Sequence, residues 1–329
     1  MDPLTHTLTG LMLSRAGLKR LSAHATPILL LAANVSDIDV FTLFFGQATY
    51  LRYHRYITHA FLAAPLLALL PVVAVRLFAR KPFHWTWAYA VSLLGVATHP
   101  LLDWMNSYGV RFLWPFSEKW YRLDIVSLGD VWISVALVLA LIVPMLARLV
   151  SSEIGARPGS GRGLAIAALC FLLLYPSGRY LLHERALEVL NSRLYEGQDP
   201  VRIAALPDPF SPLRWRGLVE TGQFYSVFDV SLLAEFDPTA GRMLYKPEPG
   251  PRETAAAAAA RSTPAFRSFL KFSQYPYWRF LPADQPPEAI RVEAMDLRFG
   301  EPLRPRFVAT AIVDRDGRVA ESRFRFEPE

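Results

Sequence analysis

His99 and Asp103 lie four positions apart at the end of an apolar segment that begins near Trp85. On a helix this spacing puts the imidazole and the carboxylate on one face, one turn apart, where both can bind the same divalent cation. Such groups are costly in a membrane-grade apolar segment unless something compensates their charge. The pair alone leaves three interpretations open: a buried ion pair, helix capping or a metal site.

More His and Asp residues lie in or beside apolar segments upstream of this pair. They are His6, Asp37, Asp39, His54 and His59. Neutral imidazole combined with carboxylate suits zinc, and also manganese or iron. Together with His99 and Asp103, the set is larger than one tetrahedral site requires, so it could hold one ion or two. We therefore predict a divalent metal centre, with zinc as the first expectation.

The closely spaced ligands require irregular backbone if all of them are to reach one centre. His54 and His59 would point roughly 140° apart on one helix, so both serve the centre only if His54 lies in the preceding loop. Asp37 and Asp39 converge best if their helix breaks, and residues 34–36 offer a suitable break. Carboxylates at membrane depth also need a partner, a cation or a water-filled cleft.

The composition is that expected for a membrane protein with a polar second part. Hydrophobic residues make up 52% of the 329 residues and the mean hydropathy is +0.22, with the excess concentrated before about residue 182. The single cysteine excludes an intrachain disulfide and a cysteine metal cluster. The net charge of +6 suits anionic lipid headgroups. We expect no nucleic-acid partner, because no Lys/Arg-rich run with interleaved aromatic residues occurs.

We predict a mainly α fold: a multi-span transmembrane helical domain over residues 1–182, then a small α+β extramembrane domain over residues 183–329. The predicted membrane spans are residues 57–79, 86–105, 131–150 and 164–182, and residues 3–20 are expected to form an amphipathic helix. The hydrophobic pattern leaves open whether residues 3–45 fully span. The second domain should contain a helix at residues 255–260, strands at 218–233, 290–299, 306–314 and 318–326, and a hairpin turn at 314–317.

The distribution of basic residues predicts the orientation in the membrane. One set of connections holds Arg15, Lys19, Arg20, Arg76, Arg80, Lys81, Arg148, Arg157 and Arg162, and the other holds Arg52, Arg55, Arg111, Lys119 and Arg122. The richer set should face the cytoplasm. The candidate ligands and the C-terminal domain then lie toward the outer, periplasmic side.

Several of these motifs together resemble the YdjM family of bacterial membrane-bound, metal-dependent hydrolases. The shared motifs are MDPLTH at residues 1–6, DID at 37–39, HRYITH at 54–59, HPLLD at 99–103 and NSYGVR at 106–111. Tyr56 departs from the pattern, since glycine is common in the family at that position. The resemblance covers roughly residues 1–180 and implies a multi-pass protein of the bacterial inner membrane.

The order of the ligands is also similar to that in the helical zinc-dependent phospholipase C proteins. In those proteins such residues bind clustered zinc ions beside a phosphodiester. The corresponding positions here are His6, Asp37, His54, His99 and Asp103. This similarity implies phosphoester chemistry on a lipid-like substrate.

We therefore expect a membrane-embedded hydrolase that cleaves an ester or phosphoester, which could be lipid-linked, at the outer membrane surface. The metal would lower the pKa of a bound water. Asp39 or Asp103 would take its proton, and Arg55 and Arg111 are candidates to stabilise the anion, although Arg55 could equally snorkel to the interface.

The alternative comes from another functional class: a non-enzymatic membrane scaffold or a transporter-like protein, with a structural metal site or a proton path. A closed four-ligand shell would favour the scaffold, and an open position would favour the enzyme. The expected partners are the lipid bilayer and the substrate, and the sequence identifies no protein partner.

Overall fold

The computed structural model of the chain describes residues 1–80, 82–153, 155 and 159–327. A helical part is followed by a part built on two antiparallel sheets, which agrees with the predicted order of a mainly helical part before an α+β part. The helices of the first part are α1 (Pro3–Ala16), α2 (Ala25–Ala32), α3 (Gln47–Tyr53), α4 (Ala64–Leu67), α5 (Leu69–Phe78), α6 (Trp85–Trp104), α7 (Val131–Glu153) and α8 (Arg162–Asn191). Short 3₁₀ helices occupy Leu18–Arg20, Val35–Phe45 and Ile57–His59.

Within the described residues, two helices are long and apolar enough to cross a membrane. They are Val131–Ser151, within α7, and Arg162–Asn191, which is α8. Both were predicted as spans, but α8 continues through the predicted domain boundary at residues 182 and 183. That boundary stays a prediction. Lys81 and Arg157, two residues of the charge count, lie outside the described part of the chain.

Two further stretches are apolar enough to span only as bent pairs. Ala25–Ala32 and Val35–Phe45 are bent by 41°, which agrees with the predicted break at residues 34–36. Gln47–His59 and Ala64–Phe78 are bent by 87°. The described chain therefore has two candidate spans, or up to four if each bent pair crosses the membrane.

The predicted span at residues 57–79 is not one helix. It is divided into the turn Ile57–His59, α4 and α5. Pro65 lies in the first turn of α4, where proline is tolerated because its missing N–H would be unpaired there in any case. The prolines correctly predicted a distortion of this helix, but not its division into three pieces. The first break falls beside His59. Residues 86–105, in contrast, form the continuous helix α6.

Glycines allow α1 and α6 to approach α2 closely. A Cβ added at Gly10 would lie 2.6 Å from the carbonyl oxygen of Leu29, and one added at Gly95 would lie 2.8 Å from Cβ of Ala32. Only glycine permits such contacts, as is common where helices pack in membranes. This packing brings the first turn of α1 and the last turns of α6 to the end of α2.

The second part contains two four-stranded antiparallel sheets, each with its strands in sequence order. The first sheet holds β1 (Arg202–Pro207), β2 (Arg214–Glu220), β3 (Phe224–Ser231) and β4 (Arg242–Tyr245). The second holds β5 (Pro276–Pro282), β6 (Ile290–Asp296), β7 (Val308–Val313) and β8 (Val319–Arg325), and is covered by α9 (Pro251–Arg261) and α10 (Pro264–Phe272).

Most of the strand predictions in this part agree with the structure. The predicted single strand at residues 218–233 is wrong: it belongs to the hairpin of β2 and β3, because Thr221 Oγ1 accepts from the N–H of Phe224 and closes a turn. The predicted turn at residues 314–317 does join β7 and β8. There, Asp314 Oδ1 accepts from the N–H groups of Asp316 and Arg318.

The second sheet shares its hydrophobic core with the helical part. Leu51, Tyr108 and Trp120 are buried in the same cluster as the aromatic residues of α10. The indole of Trp120 donates to the carbonyl oxygen of Lys271 at 3.0 Å. The guanidinium of Arg298 donates to the carbonyl oxygen of Ser107 at 2.9 Å. The loop after α6 is therefore held in place by the C-terminal part.

Candidate metal centre

All seven predicted metal ligands lie together, although they come from separate segments. α1 contributes His6, the 3₁₀ segment Val35–Phe45 contributes Asp37 and Asp39, the residues after α3 contribute His54 and His59, and α6 contributes His99 and Asp103. Their ligand atoms form three overlapping groups, within each of which the atoms lie within 4.8 Å of one another. The groups are His6, His99 and Asp103; Asp37, His59 and His99; and Asp37, Asp39 and His54. These groups could hold a metal ion.

The backbone at these ligands is irregular, as their spacing requires. His54 lies directly after α3 in extended backbone, with φ −62° and ψ 133°. This lets it reach the cluster together with His59. Asp37 and Asp39 lie on a 3₁₀ helix rather than an α-helix.

The centre of the cluster is buried and poor in hydrogen bonds. Nε2 of His59 and Nε2 of His99 lie 3.3 and 3.4 Å from Oδ2 of Asp103, yet none of these atoms has a hydrogen-bond partner in the described part of the chain. All three side chains are fully buried. Both ring nitrogens of His6 also lack a hydrogen-bond partner among the residues that the structure describes. Because buried polar atoms are almost always hydrogen-bonded, acceptor atoms that converge without a donor indicate a place for a cation.

Hydrogen bonds on the far side of two imidazoles direct their Nε2 lone pairs into the cluster. Nδ1 of His99 lies 2.6 Å from the carbonyl oxygen of Ala33, which can only accept, so His99 donates there. Nδ1 of His59 lies 3.1 Å from Oγ1 of Thr58, whose own proton goes to Asp39. In the neutral imidazole, each Nε2 then carries the lone pair that binds a metal.

Asp39 accepts hydrogen bonds from three residues between α3 and α4. Its Oδ1 lies 2.9 Å from Nδ1 of His54. Its Oδ2 accepts from the backbone N–H of Arg55 at 2.9 Å and from Thr58 Oγ1 at 3.0 Å. A carboxylate bonded to the outer nitrogen of a histidine is the usual support for a metal-binding imidazole. Asp39 thus orients His54 directly and His59 through Thr58.

Asp103 has one oxygen paired with cations and one turned to the imidazoles. Its Oδ1 contacts Nη2 of Arg55 at 2.9 Å and also the amino group of Met1. Its Oδ2 faces His59 and His99. Arg55 therefore neutralises a buried carboxylate, and its other contacts hold it in place rather than leaving it open to an anion.

Two residues that support Arg55 were not assigned a role from the sequence. Asn106 Oδ1 accepts from Nη1 of Arg55 at 3.2 Å and from the backbone N–H of Tyr108 at 2.9 Å. The Tyr108 ring lies 4.6 Å from the guanidinium carbon of Arg55. Both belong to the NSYGVR stretch that follows the HPLLD motif, so that motif was the available signal.

Arg111 lies against aromatic rings beside the cluster. Its guanidinium carbon is 3.9 Å from the ring centroid of Tyr56 and 4.6 Å from that of Trp120. Its Nη2 donates to the carbonyl oxygen of Arg52 at 2.6 Å. These contacts give Arg111 a packing role, and its predicted contact with a substrate anion stays a prediction.

Asp37 is the most exposed of the seven residues. Its side chain is 28% exposed, whereas those of His59, His99 and Asp103 are fully buried. Its Oδ1 lies 3.3 Å from Nε2 of His99 and 3.6 Å from Nε2 of His59. The cluster therefore opens to its surroundings at Asp37.

Comparison with known proteins identifies the family of the helical part. Residues 1–186, more than half of the chain, match the family described as YdjM inner membrane protein. The chain belongs to the YdjM inner membrane protein family. All seven clustered His and Asp residues lie within the YdjM match, so the cluster is part of its YdjM portion.

The C-terminal part matches a second family. Residues 255–327 match the YfhP C-terminal alpha/beta plait domain, which here runs from α9 to the end of β8. The uncharacterized protein YfhP of Bacillus subtilis (strain 168) is 25% identical over 338 residues, covering 98% of this chain and 94% of that protein. No solved structure matches the chain.

Proposed function

We propose that this YdjM-family protein is an integral membrane hydrolase that cleaves an ester or phosphoester with the help of one or two divalent metal ions. The supporting observation is that Nε2 of His59, Nε2 of His99 and Oδ2 of Asp103 converge in a buried place with no hydrogen-bond partner among the described residues. Zinc fits this donor set best, and manganese or iron fit less well.

The residues divide into ligands and supports. The ligands would be His6, Asp37, His54, His59, His99 and Asp103. A bound divalent ion would supply Lewis acidity and lower the pKa of a coordinated water. Asp39 keeps the histidine lone pairs aimed inward, and Arg55 offsets the charge of Asp103. Of the two predicted proton acceptors, Asp39 is hydrogen-bonded and Asp103 is ion-paired. We therefore assign contact with the reacting water to the partly exposed carboxylate of Asp37.

The partial exposure of Asp37 supports an enzyme over a structural metal site. A structural site is normally closed by protein ligands, whereas a catalytic site keeps a position that substrate can reach. A scaffold or transporter-like role is the alternative, and the full burial of Asp103 with Arg55 is the observation that favours it.

We propose a multi-pass protein of the bacterial cytoplasmic membrane with its metal centre and C-terminal part on the periplasmic side. The YdjM family and the apolar helices support membrane localisation. The predicted orientation rests on the excess of Lys and Arg in one set of connections.

Hydrolysis assays on protein purified in detergent test the proposed activity. The substrates are p-nitrophenyl acetate and bis(p-nitrophenyl) phosphate, with zinc or manganese added. We expect turnover by the wild type, loss of most of it in His59→Ala, and unchanged turnover in His84→Ala, whose exposed side chain lies at the start of α6. Equal rates in wild type and His59→Ala would contradict the proposal.

A further inference from the structure

The 3₁₀ segment Val35–Phe45 presents three different faces, because residues three apart align on a helix with three residues per turn. The inward face is Ser36, Asp39 and Thr42, of which the first two are buried at 0% and 6% exposure. The outward face is Ile38, Phe41 and Phe44, which are 42%, 60% and 84% exposed. One segment therefore joins the metal centre to an exposed apolar surface.

The third face connects these two. It consists of Asp37, Val40 and Leu43. Asp37 is the ligand through which the centre opens, and Val40 and Leu43 are each 46% exposed. Along this face, the accessible carboxylate continues directly into apolar side chains. We call Val40 and Leu43 the apolar track.

The 3₁₀ segment that carries the track packs against α3, which in turn packs against the C-terminal part. After Phe45 the chain turns back through α3, which His54 follows directly, so this hairpin leaves the centre and returns to it. α3 is covered by the C-terminal part: Gln47 Oε1 accepts from the N–H of Phe326 at 3.0 Å, and the ring of Tyr50 lies 5.7 Å from that of Phe326. The other side of the hairpin, which carries the track, is exposed.

We propose that the substrate is a membrane-anchored phosphoester whose head group binds at Asp37, His59 and His99 while its apolar chain lies along the track. This inference rests on the proposed function and specifies its substrate class. An exposed ligand beside exposed apolar side chains suits a molecule that is polar at one end and apolar at the other. The positive charge of two divalent ions and Arg55 would exceed the negative charge of the three carboxylates in the cluster. This excess of positive charge favours an anionic head group.

The reaction is a balanced hydrolysis. The oxygen of water bonds to phosphorus, the phosphorus–oxygen bond to the leaving alcohol breaks, and one proton of the water ends on that alcohol. The products are a phosphomonoester and an alcohol, and no oxidant or reductant is needed.

Two phosphodiesters with the same leaving group test the inference on the full-length, zinc-loaded protein in detergent micelles. They are p-nitrophenyl methyl phosphate and p-nitrophenyl hexadecyl phosphate, which differ only in chain length. We expect the wild type to prefer the hexadecyl compound by at least about tenfold in kcat/KM, because apolar burial contributes on the order of 1.4 kcal/mol or more. Equal kcat/KM for both would overturn the inference while leaving the proposed hydrolase intact.

A matched pair of double variants separates the track from general lipid contact. Val40→Ser with Leu43→Ser alters the track. Val73→Ser with Leu70→Ser alters side chains of α5 that are 49% and 47% exposed, close to the 46% of each track residue. We expect the track variant alone to lose about tenfold in kcat/KM for the hexadecyl compound, with no change for the methyl compound. Equal losses in both variants would mean that the track only contacts bulk lipid.

A binding measurement keeps the inference testable without turnover. If neither phosphodiester is hydrolysed, the proposed function fails, and binding of fluorescently labelled hexadecyl methyl phosphate to zinc-loaded protein then decides the inference. About tenfold weaker binding to the track variant than to the α5 variant would support it. Equal binding to both variants would overturn it.

Discussion

The imidazole rings of His6 and His99 are stacked, with centroids 3.7 Å apart and planes inclined by 10°. His6 comes from the first turn of α1 and His99 from the last turns of α6, so helix packing creates the stack. Two positive charges at this distance in a buried site would repel strongly. At least one ring must therefore be neutral, and neutral imidazole is the form that binds metal ions.

The close approach of α6 to α2 predicts opposite effects of alanine at two helical glycines. Gly95→Ala should destabilise the protein by about 1–3 kcal/mol, because the added Cβ would clash with Ala32. Gly178→Ala, in α8, should be neutral or stabilise by up to about 1 kcal/mol, since no atom of the described residues outside its own helix turn lies within 4 Å of its Cβ position. Thermal unfolding in detergent compares them, and equal melting temperatures would refute the proposed packing.

The hydrogen bonds of Asp39 predict a role in orienting the ligands. Asp39→Asn should weaken zinc binding by about 10- to 100-fold, because the amide cannot accept from all three donors. Competition with a chelating dye measures the affinity. Asp208→Asn is the control, since Asp208 also accepts backbone N–H bonds, from Phe210 and Ser211, but belongs to the first sheet region. A similar affinity in both variants would speak against the role of Asp39.

Tyr108 links the metal centre to the C-terminal part, because its ring contacts Arg55 on one side and Phe272, at 4.7 Å, on the other. Tyr108→Ala should cost about 3 kcal/mol of stability and lower the zinc affinity, since Arg55 loses its support. Tyr108→Phe should be nearly neutral, because the buried hydroxyl has no hydrogen-bond partner within the described chain. Denaturation and dye competition measure both effects, and an unchanged zinc affinity in Tyr108→Ala would rule out this link.

The buried pair of Asp296 and Arg298 predicts a dependence of stability on pH. Burial alone would raise the pKa of Asp296, but Arg298, at 2.7 Å, outweighs it and holds the pKa below its usual value. The carboxylate therefore stabilises the fold above its unfolded pKa of about 3.9, and this contribution is lost as the pH falls through the lower folded pKa.

Asp296→Asn should accordingly cost about 3 kcal/mol at pH 7, and its difference from the wild type should shrink below about pH 4. Urea denaturation followed by tryptophan fluorescence at several pH values measures this difference. Asp316→Asn, at an exposed turn, serves as the control. A difference that stays constant from pH 7 to pH 3 would contradict the assignment.

The candidate ligands could be identified from the sequence because ionisable residues in apolar segments have few explanations. His99 and Asp103 also had helical spacing, and the structure keeps it. The 3₁₀ form of Val35–Phe45 was not predicted, although Ser36, Asp39 and Thr42 repeat with its period of three.

Contacts between distant segments lay beyond the sequence. The support of Arg55 by Tyr108 depends on docking of the C-terminal part, which no local pattern encodes. The division of residues 57–79 depends on how α4 and α5 pack, and the prolines there marked only an irregularity. β1, β4 and β5 are edge or short strands whose pairing depends on their neighbours, and they were missed for that reason.

The metal content of the purified protein tests the central claim most directly. Cells are grown with added zinc, and the wild type, His59→Ala, His99→Ala and His84→Ala are compared by inductively coupled plasma mass spectrometry. We predict one or two equivalents of divalent metal in the wild type and in His84→Ala, and the loss of at least one in the other two variants. A metal-free wild type, or an unchanged metal load in His99→Ala, would contradict the account.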